Sequence, residues 1–287
     1  MALILDYEFD NFSTAADGTR KVVDASGNSN DGTMESGQGL EFDGIDDYIN
    51  TDIYVDPSYK TCIVSFKTAN TLPATGCLAY GGDWAKYRRF GFFVASGKIL
   101  FEYGDKYFYG SALSTNTNYR AVVTYDGVNA IGYLDSVQDA IVAASQIPSK
   151  EISSGFTFRF GDINDWIYSG DVLMCTILDV NISSDDVIYD FNNPNAIIEM
   201  LITGTANPNF SFLPSNILHC FTFDESTGNV IHDIVTGKSY SMLNFPSDNT
   251  QWTNADLQPY GHQKLRFKKD ANGNPSALAD TKTVRFD

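Results

Sequence analysis

The chain has 287 residues, 43% of them hydrophobic and 19% charged, with a net charge of -17. This is a globular composition and not a disordered one. So acidic a surface repels phosphate backbones and anionic lipid, which argues against nucleic acid as a partner, and no apolar run approaches the length of a membrane span, which argues against membrane insertion.

The opening MALILDYEFD is too short and too soon acidic for a secretory signal, so the chain is expected to be made without Sec export. The stretch DASGNSNDGTME, Asp24 to Glu35, imitates a calcium loop, with Asp24, Ser26 and Asn28 at alternate positions and Glu35 at the twelfth. An EF-hand needs glycine at its sixth position and a helix on each side; the sixth residue is Ser29 and neither flank has helical period. Its small polar residues read first as turn formers. Next, GLEFDGIDDYIN alternates like a strand and carries Asp43, Asp46 and Asp47 close together. Oxygen-rich loops of this kind suit hard cations, although an Asp43-Gly44 turn and a strand cap at Asp46 explain the same residues without a metal.

Period two then dominates. Phe90, Phe92 and Val94 share one face; Ile99, Phe101 and Tyr103 follow; Phe156, Phe158 and Phe160 alternate with Thr157 and Arg159. Asp126-Gly127 joins two strands as a hairpin. VLMCTILDV, Val172 to Val180, is apolar on both faces and predicts a doubly covered central strand. Many short strands with Gly and Asp turns predict an all-β fold, an antiparallel jelly-roll sandwich. One helix is predicted in SSDDVIYDFNNPNAIIEMLI, capped by Ser183 or Ser184, with Val187, Ile188 and Phe191 facing the core and Asn195 capping a second short turn. Thr203 to Asn216 has the composition of a linker. Beyond it the opening recurs: Leu3–Asp10 aligns with Ile217–Asp224, and VVDASGNSNDGTM with VIHDIVTGKSYSML at a one-residue offset. The expected division is a sandwich over 1–202, a linker over 203–216, and over 217–287 a small β-rich unit that partly repeats the opening strands. The four cysteines, Cys62, Cys77, Cys175 and Cys220, lack zinc spacing and read as small hydrophobes, with a Cys62–Cys77 bridge left open.

Six segments in order resemble a laminin G-like domain of the concanavalin A-like lectin/glucanase superfamily over about residues 1–193: LDYEFD, VVDASGNSNDGT, GLEFDGIDDYI, CIVSFKT, YRAVVTYDGVNAIGYLDS and GDVLMCTILDVNISSDDVIYDFNN. The chain departs from it in DVNISSD, where relatives often carry Asn-Arg before the helix. The resemblance implies calcium at the sandwich rim. It also implies a setting in bacteriophage particles, where such domains decorate capsids or form fibre and tail parts that assemble with other virion proteins or with themselves and touch host-surface glycans. The alternative setting is extracellular, a secreted or surface adhesin.

Catalysis is not expected. Superfamily glucanases place an acid and a nucleophile as Glu-x-Asp-x-x-Glu, and retaining chemistry needs the two carboxyls about 5 Å apart; Glu8-Phe9-Asp10 has no second glutamate after it. No GxSxG motif occurs, and His219, His232 and His262 lack a Ser or Cys partner. A glycan hydrolase is the remote alternative. For sugar, two turns each set an acidic residue beside a tryptophan: Asp83, Trp84 and Tyr87 in one, and Asn164, Asp165 and Trp166, with Tyr168, in the other. An aromatic face for the C–H side of a ring and carboxylates or amides for its hydroxyls are what a carbohydrate site requires. Tyr103, Tyr107 and Tyr109 form a second candidate groove, or simply cross-strand pairs.

Overall fold

A computed structural model describes residues 7–14, 20–24, 32–35, 39–83, 88–148, 157–162, 166–225, 228–253 and 264–267. The chain divides into two units, one of residues 1–37 with 263–287 and one of residues 38–262. The first holds a four-stranded antiparallel sheet in the order β1 (Tyr7–Thr14), β2 (Arg20–Asp24), β3 (Gly32–Glu35) and β20 (Lys264–Phe267).

The larger unit is a two-sheet sandwich. Its front sheet runs β10 (Lys106–Ala112), β9 (Lys98–Gly104), β8 (Arg88–Ala95), β7 (Thr75–Asp83), β14 (Thr157–Gly161), β5 (Tyr48–Tyr54), β18 (Ser239–Leu243) and β17 (Val230–His232). Its back sheet runs β13 (Val137–Ala143), β12 (Asn129–Leu134), β11 (Asn118–Tyr125), β6 (Thr61–Thr68), β15 (Ser169–Leu178), β4 (Gly39–Asp43) and β19 (Trp252–Thr253). Strand β16 (Ile217–Phe221) pairs with the end of β15 that β4 leaves free, setting Phe221 opposite Cys175. Every pairing among the described residues is antiparallel, as the alternating pattern predicts.

Alternation decides what each face meets. Phe90, Phe92, Phe101, Phe158 and Phe160 point between the sheets and meet Val64, Phe66, Val123 and Val172 from the other side. Strands β6 and β15 are apolar on both faces because a second layer covers the back sheet. Ile63, Val122, Met174 and Leu178 pack there against Val187, Ile197 and Met200, from two helices. These are α1 (Ser184–Asn192) and α2 (Ala196–Thr203). Ser183 caps α1 in a closed box: its hydroxyl accepts from the Asp186 amide at 3.1 Å, and the Asp186 carboxylate accepts from the Ser183 amide at 2.8 Å. Asn195 precedes α2 without a side-chain cap bond, and Gly204 ends it in the left-handed region at φ 65°.

The structure corrects several expectations. Val187 is buried but Ile188 is exposed; Asp190 faces inward instead, because Arg120 of β11 meets its carboxylate with two bonds of 2.6 and 2.7 Å. Thr203 to Asn216 is not a free linker. Phe210 and Phe212 are buried in the helical layer, and Ser211 donates its amide to Asp186 at 2.6 Å. Residues 217–253 are not an appendage but complete the sandwich: β16 sits on β15, β18 on β5, and β19 on β4. It is the opening strands β1 to β3, with β20, that stand outside the larger unit, and the strands of residues 217–253 that belong to it. Both copies carry the same apolar pattern, so pattern alone could not say which one the sandwich would take. All four cysteines are free and buried, and the Cys62–Cys77 bridge is not formed.

Candidate functional site

Among the described residues of the larger unit, two places that combine polar chemistry with burial are candidates for a site. The first is the outward face of the front sheet. Register sets one residue from each of six strands in a row: Tyr107, Glu102, Gly91, Tyr80, Arg159 and Asn50. All stand on the face opposite the main core because their neighbours Phe108, Phe101, Phe92, Phe158 and Ile49 point inward. Gly91 sits mid-row at φ +137°, where an added Cβ would meet the Ala79 carbonyl oxygen at 2.1 Å, so only glycine keeps β7 and β8 in contact.

The charge in this row has an unusual setting. Glu102 is fully buried, and among the described residues neither carboxylate oxygen has a hydrogen-bond partner. Burial pushes its carboxyl up to about 8, with Arg89 pulling the other way. Arg89, one step along β8 on the same face, lies over the Tyr107 ring at 5.6 Å and donates to the Asp105 carbonyl at 2.9 Å. Tyr107, directly across from Glu102 on edge strand β10, is 52% exposed, and Tyr109 is half-exposed. Farther along the face, Cys77, Tyr80, Phe93 and Leu100 form a small apolar cluster, and Trp166 stands edge-on to Phe93 at 5.2 Å.

The second place is the corner between β4 and β5. Gly44 turns the chain there at φ +78°. Carboxylate oxygens of Asp43, Asp46 and Asp47 lie within 4.8 Å of one another. Asp43 accepts from the Ile45 amide and Asp47 from the Asp43 amide, at 2.7 and 2.9 Å. The other oxygen of Asp47 is buried and has no partner among the described residues. Burial first, and the neighbouring Asp43 and Asp46 charges after it, raise the Asp47 carboxyl to about 6. The Asn244 amide donates to the Asp46 carbonyl at 2.9 Å, so the second-copy strand braces this corner. A buried orphan oxygen beside two more carboxylates is a donor set that fits a hard divalent cation.

Elsewhere, a cavity of about 190 Å³ on the outer face of the back sheet is lined by Glu41, Lys67, Asn70, Asn116 and Asp171. It is smaller than sites that enclose drug-sized ligands. His219 is held between the Asp233 carboxylate at 2.7 Å and the Tyr59 hydroxyl at 3.1 Å. Asp233 also accepts from the Cys220 and Val235 amides and the Thr236 hydroxyl, which makes the group a structural joint.

The structure brings the carboxylates of Asp43, Asp46 and Asp47 together. Of the loop sugar residues, Trp84, Tyr87, Asn164 and Asp165 lie outside the described residues. Asp83 is described only as the last residue of β7, paired with Arg88. Trp166 is half-buried and packs against the apolar cluster. The groove of three tyrosines is corrected by parity: Tyr103 is fully buried in the main core, stacks on Tyr125 at 4.6 Å and donates to the Tyr59 carbonyl, while Tyr107 and Tyr109 stand on the opposite face. The sequence reading does not single out Glu102, which enters as a candidate only through its buried setting. Its signal was a lone carboxylate in the alternating run ILFEYG.

No protein-family model and no curated protein sequence matches the chain. Solved structures do. A candidate carbohydrate binding protein from Bacteroides ovatus superposes with a TM-score of 0.55 at 13% identity, over 79% of this chain and 66% of that one. A heptameric SAP-like pentraxin from Limulus polyphemus gives 0.44 at 12% identity, over 54% of this chain and 82% of that one. The CBM40 module of a Ruminococcus gnavus sialidase, bound to α2,3 sialyllactose, gives 0.42 at 15% identity, over 53% and 96%. This chain thus spans just under two thirds of the Bacteroides ovatus protein. The larger unit has the concanavalin A-like lectin fold, an antiparallel β-sandwich with two short helices.

Proposed function

We propose that the sandwich is a non-catalytic sugar-recognition module whose binding surface is the outward face of the front sheet at Tyr107, Glu102 and Arg89. One observation carries this reading: both oxygens of the buried Glu102 carboxyl lack a partner among the described residues, on a face that also offers an exposed tyrosine ring and an arginine. Leaving such a group unsatisfied costs free energy, roughly 1–3 kcal/mol or more. A polyhydroxylated ligand removes that cost. A sugar ring stacked on Tyr107 sets its hydroxyls beside Arg89, which donates to ring or hydroxyl oxygens, and displacement of the side chains that cover Glu102 lets a hydroxyl donate to its carboxyl. The fold class of the Bacteroides ovatus protein supports the same reading.

Calcium at Asp43, Asp46 and Asp47 is the cofactor in this proposal, held with backbone carbonyls and water to complete its six to eight oxygens. Its role is to fix the corner that leads into β5. The virion setting is the finer part of the proposal: as a capsid decoration, fibre or tail component, the module would present this face to host glycans. Peptide mass spectrometry on purified particles tests that setting separately.

The binding proposal is tested on a glycan array, with calcium and with chelator, using the wild-type chain and Tyr107→Ala. Binding by the wild type that falls at least tenfold in the variant supports the site. Equal binding by both chains moves the sugar elsewhere, to the Trp84 and Trp166 turns first, and a wild type that binds no glycan rejects the function.

A further inference from the structure

The chain carries two copies of one strand set and a single place in the sandwich for them. Aligning Leu3–Asp10 with Ile217–Asp224 sets Tyr7 on Phe221 and Phe9 on Phe223; aligning Asp24 with Asp233 sets Val22 on Ile231. The backbone pairings then coincide. Tyr7 pairs with Asp24 as Phe221 bridges to Asp233. Val22 pairs with Gly32 as Ile231 pairs with Tyr240, and Lys21 with Thr33 as Val230 with Ser241. Arg20 pairs with Met34, and the Met242 amide bonds to the Asn229 carbonyl. The repeat is therefore structural as well as textual.

In the sandwich, Phe221, Phe223, Ile231, Tyr240 and Met242 of the second copy are all buried in the main core. Their counterparts in the first copy are Tyr7, Phe9, Val22, Gly32 and Met34. Four of the five are apolar and of similar kind. The exception, Gly32 for Tyr240, forgoes a core ring and its 2.9 Å hydroxyl bond to Asp52, which explains why the second copy holds the place here.

Reach decides where the first copy could insert. In the sandwich Glu35 would stand where Leu243 does, opposite Tyr48 at the start of β5. Gly39 lies four residues from Asp43, at the far end of β4 and in the other sheet. Four residues of strand and one sheet spacing place these points roughly 16 Å apart. The connection from Glu35 to Gly39 spans at most about 14 Å. Insertion within one chain would therefore stretch that connection to its limit, whereas insertion into another chain's sandwich leaves it slack.

We propose that strands β1, β2 and β3 of one chain take, in a second copy of the chain, the place that β16, β17 and β18 hold here. The displaced segment has a counterpart site beside Lys264–Phe267, which β3 now occupies through Met34 and Leu265. The number of paired strands is thus conserved. Exchange of an identical element between protomers is a low-cost route to oligomers, and here the exchanged element is an equivalent copy and not the identical one.

The test places a cysteine opposite one the chain already has. Cys175 is the partner of Phe221, whose counterpart is Tyr7. In a Cys62→Ala background, which removes the thiol 3.9 Å from Cys175, the full chain carrying Tyr7→Cys is oxidised at micromolar concentration and resolved without reductant. The expected result is a dimer with a peptide-mapped disulfide between position 7 of one chain and Cys175 of the other, absent when Cys175→Ser is added. No such link, or a link confined within one chain, overturns the proposal. A second measurement does not depend on oxidation. Light scattering on Phe221→Ala/Phe223→Ala, which weakens the resident copy, should show a severalfold larger dimer fraction, abolished by adding Tyr7→Ala/Phe9→Ala. A monomer throughout overturns it as well.

Discussion

Replacing Glu102 with glutamine should stabilise the protein, and by an amount that depends on pH in a fixed direction. The carboxyl is held at about 8 in the folded chain against an ordinary value of 4.5, mainly by burial. Below pH 4.5 both states bind the proton and the residue is neutral in its effect. Between the two values the unfolded chain releases the proton and the folded chain keeps it, so stability falls as pH rises, and the full cost is present above about 8. At about 1.4 kcal/mol per decade the ceiling is on the order of 5 kcal/mol. Relaxation and water entry reduce it, and about 2 kcal/mol is a fair expectation. Glutamine has nearly the same shape and no charge to desolvate, so it escapes the titrating cost. Urea denaturation of both chains at pH 5, 7 and 9 measures it. The variant's advantage should widen steadily with pH. An advantage that stays constant from pH 5 to 9 would refute the picture of a buried, unpartnered carboxyl.

Three further outcomes follow from other sites. Asp190→Asn leaves Arg120 buried without its counter-charge and should cost about 3–5 kcal/mol, read as a lower urea midpoint; a loss below about 1 kcal/mol would mean the pair is not buried as described. Calcium should raise the melting temperature of the wild type, by the equivalent of about 2.7 kcal/mol at a hundredfold excess over Kd, and Asp47→Ala should abolish the rise; an equal rise in both chains would place the ion elsewhere. Tyr107→Ala should weaken sugar binding while leaving the melting temperature within a few degrees of the wild type, since its ring is half in solvent; a collapse of stability would make it a packing residue.

Much of the fold was legible because parity and turn chemistry act locally. Phe90, Phe92, Phe101, Phe158 and Phe160 announced their inward face by spacing alone, and Asp126-Gly127 announced its hairpin, where Asp126 accepts from the Val128 and Asn129 amides at 2.8 and 2.7 Å. Apolar residues on both faces of β15 foretold a covered back sheet. What could not be read was any choice between equals. Residues 3–35 and 217–243 carry one pattern, and the sandwich admits one of them. Phe210 and Phe212 were hidden among Pro, Asn and Ser, whose composition speaks for the backbone and not for what two aromatic rings can bury. Of the sites, the acidic corner was visible because its three aspartates adjoin one turn. Glu102 was not, because alternation reports which face a residue takes and not whether that face is shielded from water. The parity of Tyr103 against Tyr107 was available in the sequence, since the Gly104-Asp105 turn between them reverses the chain.

The central claim is that sugar is recognised on the outward face of the front sheet. The direct measurement is a backbone and side-chain NMR titration of the full chain with the strongest glycan from the array. The account predicts the largest shifts at Arg89, Glu102 and Tyr107, with the Tyr107 ring protons moving upfield on stacking. Shifts confined to the back sheet, or to residues with no neighbour in that row, would contradict it.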